Sequence, residues 1–266
     1  MPPSVKWQTQ SQEYPLITRA IYRDAALQLM QRELPTNWVV VMDVDETVLD
    51  NSGYQAMLSQ TGQSYSTASW NQWVKSKQAK LVPGASDFIT SVVSAGGKVA
   101  LVTNRDKQLD NYTWQNLLAM GLPINADNTC LMGRSQADKE AVDGQAIVND
   151  KDLRRQQLSS GDVDCYSPSV KPATEWSQPH NIVMQVGDNI EDIAQTTQAS
   201  ADPNVLLPRF GKDIVILPNP MFGSWLVALY ARHQRLQLLG FVDHYFHASI
   251  TNSERIGFTQ FDQQGG

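Results

Sequence analysis

Short continuous runs of apolar residues recur along this chain, separated by segments whose apolar residues return at helical spacing. The first run predicts a strand over 38–43, and further strands are predicted over 98–103, 146–148, 181–186 and 214–217. β-Branched runs of this length are typical of strands that are buried on both faces, as in parallel sheets. Strands that alternate with helices predict an α/β fold with a doubly wound, mostly parallel sheet.

The segments between these runs predict helices and one long loop. Helices are expected over 11–33, from Pro83-Gly84 to about Val93, and over 107–120, where Gly121 marks the end. Residues 159–180 are rich in Ser, Pro, Asp and Gly and predict an inserted loop.

The pattern divides the chain into four parts. We expect an N-terminal helix packed on the core (1–36), a catalytic core (37–47 and 83–225), a small helical cap (48–82) and a C-terminal helical segment (226–266). The cap lies between two strand ends, where it can cover a site at that edge of the sheet.

Composition narrows the class of protein. The chain has 266 residues, 41% of them apolar, 18% charged, and a net charge of −6. These values are ordinary for a globular protein, and the lack of a basic stripe argues against a nucleic acid polymer as partner. Cys130 and Cys165 can form a disulfide or remain two buried thiols, and the sequence alone favours the unlinked thiols.

The first strand ends in two carboxylates. Asp43 and Asp45 lie two positions apart in the segment Asp43-Val44-Asp45-Glu46-Thr47 and so point the same way along an extended chain. A hard divalent cation such as Mg²⁺ would relieve the repulsion between them. Asp43 could then attack phosphorus, while Asp45 passes protons to the leaving group and from water. The alternatives are a turn with solvated acids or a structural cation site.

Three further strand ends should meet the same edge of a parallel sheet. In Thr103-Asn104-Arg105, the hydroxyl, the amide and the backbone N–H groups of the turn could hold phosphate oxygens, although a threonine after a strand often only caps a helix. Lys151 opens a helix after the 146–148 strand and could cancel negative charge, whereas a solvated basic face is the alternative. Lys139 is a competing candidate, but it lies before that strand.

The fourth strand end is Gly187-Asp188-Asn189-Ile190-Glu191-Asp192. Asp188 could bind the same cation as Asp43, and Asp192 could hold a metal-bound water or anchor Lys151, with Asn189 beside them. The alternative for the aspartates is a helix N-cap.

Taken in chain order, these four strand ends resemble the haloacid dehalogenase superfamily of aspartate-nucleophile phosphatases. Asp43–Ser52 is similar to the first motif of the bacterial class C acid phosphatases, which are outer-membrane lipoproteins. Other similar blocks occur across roughly residues 7–235: Trp70–Val74, Val82–Ala85, Val102–Arg105, Lys151–Arg155, Val186–Asn189 and Leu217–Trp225.

The resemblance implies a Mg²⁺-dependent phosphomonoesterase acting on 5′-nucleotides and related small phosphates. Asp43 would be the nucleophile and Asp45 the acid and base. Asp188 and the Asp45 carbonyl would complete the metal ligands with Asp43. Thr103, Asn104 and Lys151 would hold the phosphate, and Asp192 and Asn189 would lie behind the metal ligands.

The resemblance also implies export to the periplasm or an outer-membrane lipid anchor. No export signal and no lipid-bearing cysteine occurs near Met1, so this location depends on the family alone. A homodimer is also compatible with the sequence.

Aromatic residues bear on specificity. Tyr54, Trp70 and Phe222 could stack on a base or ring, and plain packing in the core or lid is the alternative. Two rival functions remain open. One is a sugar-phosphate phosphatase or phosphotransferase on the same core, and the other is a surface lipoprotein that binds haem or a nucleotide with a vestigial site.

Overall fold

The computed structural model describes residues 1–141, 149, 151–168 and 174–226. Its α-helices are α1 (Pro3–Gln10), α2 (Glu13–Met30), α3 (Ser52–Thr61), α4 (Thr67–Ser76), α5 (Ala85–Ser94), α6 (Asp110–Ala119), α7 (Gln136–Ala141), α8 (Asp152–Ser160) and α9 (Pro203–Leu206). Its strands are β1 (Trp38–Met42), β2 (Leu49–Asp50), β3 (Lys80–Leu81), β4 (Lys98–Asp106), β5 (Thr129–Arg134), β6 (Asn181–Gly187) and β7 (Ile214–Ile216).

A parallel sheet in the order β5-β4-β1-β6-β7 forms the centre of the described chain. Strand β1 is central, and all five of its residues are buried because helices cover both faces. The predicted α/β fold with a mostly parallel sheet is therefore confirmed. This order brings the carboxyl ends of β1, β4 and β6 together at one edge.

Strand β5 was not predicted, and it occupies the outer position beside β4. The predicted 146–148 strand lies outside the described residues, as does most of the predicted C-terminal helical segment. Between β1 and β4, in the region predicted to be a cap, strand β2 precedes α3 and strand β3 follows α4. These two short strands pair with each other in antiparallel orientation. The division into four parts stays a prediction.

The N-terminal region forms two helices instead of one, because Ser11 interrupts the helix in an extended conformation. Its hydroxyl then accepts the Tyr14 N–H at 3.2 Å. Helix α2 packs against α5, with the rings of Tyr22 and Phe88 5.3 Å apart. The Tyr22 hydroxyl donates to the Thr47 carbonyl at 2.6 Å, so α2 buttresses the loop that follows β1.

Cys130 and Cys165 form a disulfide, so the preference for unlinked thiols was wrong. Cys130 lies in the outer strand β5, and Cys165 lies in the loop that follows α8. The Tyr166 N–H donates to the Leu131 carbonyl at 2.8 Å, which aligns the loop with the open edge of β5. This pairing brings the two cysteine Cα atoms within 5.0 Å, a distance that spacing in sequence could not reveal.

None of the helices in the described part of the chain is both long enough and apolar enough to cross a membrane.

Candidate active site

The turn after β1 presents Asp43 and Asp45 at the carboxyl edge of the sheet. Asp43 is buried, and its N–H continues the β1–β6 ladder by donating to the Val186 carbonyl at 2.9 Å. The chain then reverses tightly, with Glu46 at a φ of 56° and its N–H donating to the Leu49 carbonyl. A left-handed conformation at a residue other than glycine is uncommon, and it keeps the loop close to the strand.

Lys151 brings its ammonium between two aspartates. Its Nζ lies 2.6 Å from Asp43 Oδ1 and 2.5 Å from Asp192 Oδ1. All three side chains are buried. Burial alone would lower the pKa of Lys151, but the charges of Asp192 and Asp43 together raise it above its ordinary value. The lysine is therefore a fixed cation beside Asp43.

Strand β6 places Asp188 and Asp192 at the same edge. Asp192 packs directly against Gly187, where any Cβ would collide with its carboxylate. The glycine is therefore required for this close approach. Asp192 Oδ2 also accepts the Asn189 N–H at 2.9 Å, which fixes the loop.

Two residues orient Asp188. Thr47 Oγ1 donates to its Oδ1 at 3.2 Å, and Asn219 Nδ2 donates to its Oδ2 at 2.8 Å. The sequence alone indicated no role for either residue, although Thr47 belongs to the first motif and Asn219 to the block after β7. The Asn189 side chain has a different partner, because its Oδ1 accepts the Ser224 hydroxyl at 2.6 Å.

Asp43, Asp188 and Asp192 form a cluster that fits a cation. Each offers a carboxylate oxygen, and these oxygens all lie within 4.8 Å of one another. Burial, opposed by Lys151 and reinforced by the neighbouring acids, raises the pKa of Asp43 to about 7. Burial and the charges of Asp192 and Asp43 raise the pKa of Asp188 well above its usual range. Oxygen-only ligands with excess negative charge suit a hard divalent cation.

Strand β4 extends further than predicted, so the residues of Thr103-Asn104-Arg105 alternate between the two faces of the strand. Thr103 and Arg105 are buried, whereas Asn104 between them is exposed. The Thr103 hydroxyl accepts the Arg105 N–H at 3.1 Å. The structure therefore brings Thr103 and Arg105 to one face and turns Asn104 to the other.

Arg154 lies in α8 and contacts β4, β5 and α7. Its Nη1 donates to the carbonyls of Thr103 and Met132, at 2.5 and 3.0 Å, and its Nη2 donates to Asn104 Oδ1 at 3.1 Å. Its Nε lies 3.2 Å from Asp138 Oδ1. This buried guanidinium holds the end of β4 in place, and the sequence gave it no separate signal.

Asp45 lies in a different set of contacts from Asp43. Arg105 donates to it from Nε and Nη2, and Asn51 Nδ2 donates at 2.8 Å. Arg105 and Asn51 were part of the blocks that carried the resemblance, but they had no assigned role. The Arg105 contact joins distant parts of the chain, and the Asn51 contact depends on the tight reversal of the chain after β1, so residue type and spacing gave no signal for them.

The three predicted pocket aromatics differ in their surroundings. Tyr54 is fully buried, with its ring edge on Trp70 at 5.2 Å and its hydroxyl 2.8 Å from Ser69 Oγ. Trp70 is half-buried, and its ring centroid lies 5.7 Å from Arg105 Cζ. Phe222 is half-buried in the loop after β7. A role for them in substrate binding stays a prediction.

This chain is similar to known proteins over most of its length. The model of the HAD superfamily, subfamily IIIB (acid phosphatase), matches residues 2–225. The structure of the class C acid phosphatase from Bacillus anthracis is similar with a TM-score of 0.66 and 25% identity, covering 90% of this chain and 95% of that one. A structure of a class C acid phosphatase from the same organism with tungstate bound has a TM-score of 0.66 and 24% identity, covering 97% and 94%.

Proposed function

This chain belongs to the acid phosphatases of HAD subfamily IIIB and is a phosphomonoester hydrolase, and from that premise we propose that it acts through an aspartyl-phosphate on Asp43 with Mg²⁺ as cofactor. The observation that carries the proposal is the convergence of Asp43, Asp188 and Asp192 with the Lys151 ammonium in one buried site. The segments that follow β1 and β6 supply the three aspartates, and the residue before α8 supplies the lysine.

The steps follow from the positions of the side chains. Asp43 attacks phosphorus, and Asp45 gives a proton to the leaving oxygen. Asp45 then takes a proton from the water that cleaves the aspartyl-phosphate. Lys151 neutralises charge on Asp43 and on the phosphate from a buried position, where a fixed cation is most effective.

Thr103 and Asn104 are the other proposed phosphate ligands. The two side chains lie on opposite faces of β4, so the proposal requires the phosphate to contact both faces, and the Asn104 amide oxygen already accepts from Arg154.

Asp43, Asp188 and the Asp45 carbonyl are the proposed ligands of Mg²⁺, with Asp192 and Asn189 behind them. When bound, the ion would screen the negative charges of the carboxylates and the phosphate. The close approach of Asp192 to the other two carboxylates supports this arrangement, because three crowded acids and one lysine leave net negative charge.

We expect 5′-nucleotides and related small phosphates as substrates, with Trp70, Phe222 and Tyr54 near the pocket. Stacking on a base is supported by the half-buried state of Trp70 and Phe222. The disulfide supports export to an oxidising compartment such as the periplasm, where a lipid anchor would tether the protein.

The test is hydrolysis of an aryl phosphate by the full chain with Mg²⁺, with EDTA, and with Asp43→Asn. EDTA and Asp43→Asn should each abolish turnover, and Mg²⁺ should restore it only in the wild type. Asp213→Asn is the matched control, because Asp213 precedes β7 at the opposite edge of the sheet. Normal turnover by Asp43→Asn would refute the proposed chemistry.

A substrate panel tests specificity. Nucleoside 5′-monophosphates should be hydrolysed faster than sugar phosphates, and added acceptor alcohols should not receive the phosphoryl group. Preference for sugar phosphates, or transfer to alcohols, would favour the rival phosphatase or phosphotransferase.

A further inference from the structure

Asp45 is held by two buried side chains that the proposed reaction does not itself require. We infer that Arg105 and Asn51 are positioning residues, which fix the Asp45 carboxylate for proton transfer and link it to helix α4 of the cap region. The inference rests on the proposed role of Asp45 as acid and base.

Arg105 fixes the plane of the Asp45 carboxylate. Its Nε donates to Oδ1 at 2.9 Å and to Oδ2 at 3.2 Å, and its Nη2 donates to Oδ1 at 2.7 Å. Its Nη1 donates to Thr113 Oγ1 at 3.2 Å, so the guanidinium is itself anchored. Two adjacent donors on one carboxylate set its orientation as well as its position.

Asn51 supplies the second grip. Its Nδ2 donates to Asp45 Oδ1 at 2.8 Å, while its Oδ1 accepts from Trp73 Nε1 at 2.8 Å and from Arg105 Nη2 at 3.2 Å. Both partners of Oδ1 are obligate donors, so this amide has one workable orientation. Its main-chain N–H donates to the buried Glu46 carboxylate at 2.7 Å, which anchors the residue further.

These contacts distinguish the two oxygens of Asp45. Oδ1 accepts three hydrogen bonds from Arg105 and Asn51, whereas among the described residues Oδ2 has only the longer contact with Arg105 Nε. Oδ2 is therefore the oxygen that carries the proton to the leaving group. The carboxylate is partly open to solvent, with 16% of the Asp45 side chain exposed, so a substrate can reach it.

Helix α4 contacts both residues that hold Asp45. Trp73 donates to Asn51, and the Trp70 ring lies 5.7 Å from the Arg105 guanidinium. Both tryptophans belong to α4. A displacement of α4 therefore moves Asp45 through Asn51 and Arg105, which makes proton transfer depend on the position of the cap helix.

Leaving groups of different basicity separate a positioning role from a structural one. An alkyl phosphate needs a proton on its leaving oxygen, whereas 2,4-dinitrophenyl phosphate does not. With Mg²⁺ present, Arg105→Lys should slow the first turnover of the alkyl phosphate by about 10- to 100-fold, which is part of the roughly 10²–10⁴-fold that proton transfer contributes. The first turnover of dinitrophenyl phosphate should change less than about threefold, and KM for both substrates should stay similar.

A second variant tests the link to α4. Trp73→Phe keeps an aromatic ring beside Tyr54 but removes the N–H that Asn51 accepts. Trp73→Phe should also slow the first turnover of the alkyl phosphate selectively, but by a smaller factor of about three- to tenfold. This half-buried position also keeps the inference testable if Arg105→Lys fails to fold.

Two controls complete the experiment. Arg209 lies outside the site and donates to Asp213 from Nε and Nη2, at 2.9 and 2.7 Å, as Arg105 does to Asp45. Arg209→Lys should therefore leave the turnover of both substrates unchanged. Asp45→Asn should show the largest selective loss. If Asp45→Asn shows no selectivity, the proposed role of Asp45 fails. If Asp45→Asn is selective but Arg105→Lys and Trp73→Phe slow both substrates equally, the positioning inference alone is overturned.

Discussion

Lys151 Nζ lies 2.6 Å from Asp43 Oδ1, although 108 positions separate the two residues in sequence. The lysine immediately precedes α8, whereas the aspartate immediately follows the central strand β1. Because both are buried, the ion pair is shielded from the screening effect of water. The proposed nucleophile therefore carries a built-in cation that is ready to offset charge on an incoming phosphate.

Replacing this cation should reduce turnover strongly. We expect Lys151→Met to lower kcat/KM by about 10²–10³-fold, because an electrostatic partner of the transferred phosphoryl group is lost. Steady-state kinetics with saturating Mg²⁺ would measure the loss. Lys98→Met is the control, since Lys98 begins β4 at the opposite edge of the sheet and should leave kcat/KM unchanged. An equal effect of the two substitutions would contradict the assigned role of Lys151.

Arg154 should matter mainly for stability. Arg154→Met leaves Asp138 without its buried partner and removes a donor from the Thr103 and Met132 carbonyls. Loss of one member of a buried pair lowers the free energy of unfolding by about 3–5 kcal/mol. Denaturant unfolding would measure this. The half-exposed pair of Arg209 and Asp213 is the comparison, and Arg209→Met should cost about 1 kcal/mol or less.

The disulfide should stabilise the native state. It closes a loop between cysteines 35 positions apart, and such a link is worth about 2–4 kcal/mol. Reduction should lower the free energy of unfolding of the wild type by that amount. The double variant Cys130→Ser, Cys165→Ser should resemble the reduced protein and should not respond to reductant. Identical unfolding curves for oxidised and reduced wild type would show that the link contributes nothing.

The buried carboxyl of Asp110 should make the free energy of unfolding depend on pH. Asp110 is not among the proposed catalytic groups. Burial raises its pKa to about 7, and the opposing contributions of Lys107 and the Gly133 N–H are weaker. Between about pH 4 and pH 7 the native state therefore holds a proton that the unfolded state, with a pKa near 4, has lost. This contribution to stability is fully present below about pH 4 and is lost as pH rises to about 7.

Asp110→Asn should remove that part of the slope, which reaches about 1.4 kcal/mol per pH unit. Urea unfolding at several pH values across this range would measure it. Asp87→Asn is the matched control. Asp87 and Asp110 each lie in the first turn of a helix, α5 and α6, but Asp87 is exposed whereas Asp110 is buried. If the two variants retain the same slope as the wild type, the buried proton is not on Asp110.

The sequence predicted the central strands because continuous β-branched runs leave few alternatives to a buried parallel strand. Strand β5 was missed because its apolar stretch, Cys130–Met132, contains no β-branched residue, unlike the run of equal length at 146–148. The extension of β4 past Thr103 was missed because Asn104 and Arg105 are typical of a turn. That extension decides which side chains face the site.

The site was predictable where strand ends alone determine position. Asp43 and Asp188 meet because parallel strands β1 and β6 are neighbours, and register then fixes their distance. Contacts between loops were not predictable in this way. The contacts of Arg105 with Asp45 and of Asn219 with Asp188 join segments whose relative positions depend on tertiary packing. The contact of Asn51 with Asp45 is local, but it depends on the conformation of the loop that follows β1.

The central claim is that Asp43 carries the phosphoryl group during turnover. The most direct measurement is rapid acid quenching of the full chain with Mg²⁺ and a fast aryl phosphate, followed by peptide mapping. We expect a hydroxylamine-sensitive phosphoryl group on the peptide containing Asp43, formed at least as fast as steady-state turnover and absent from Asp43→Asn. Rapid turnover with no phosphoryl group on Asp43 at any quench time would contradict the account.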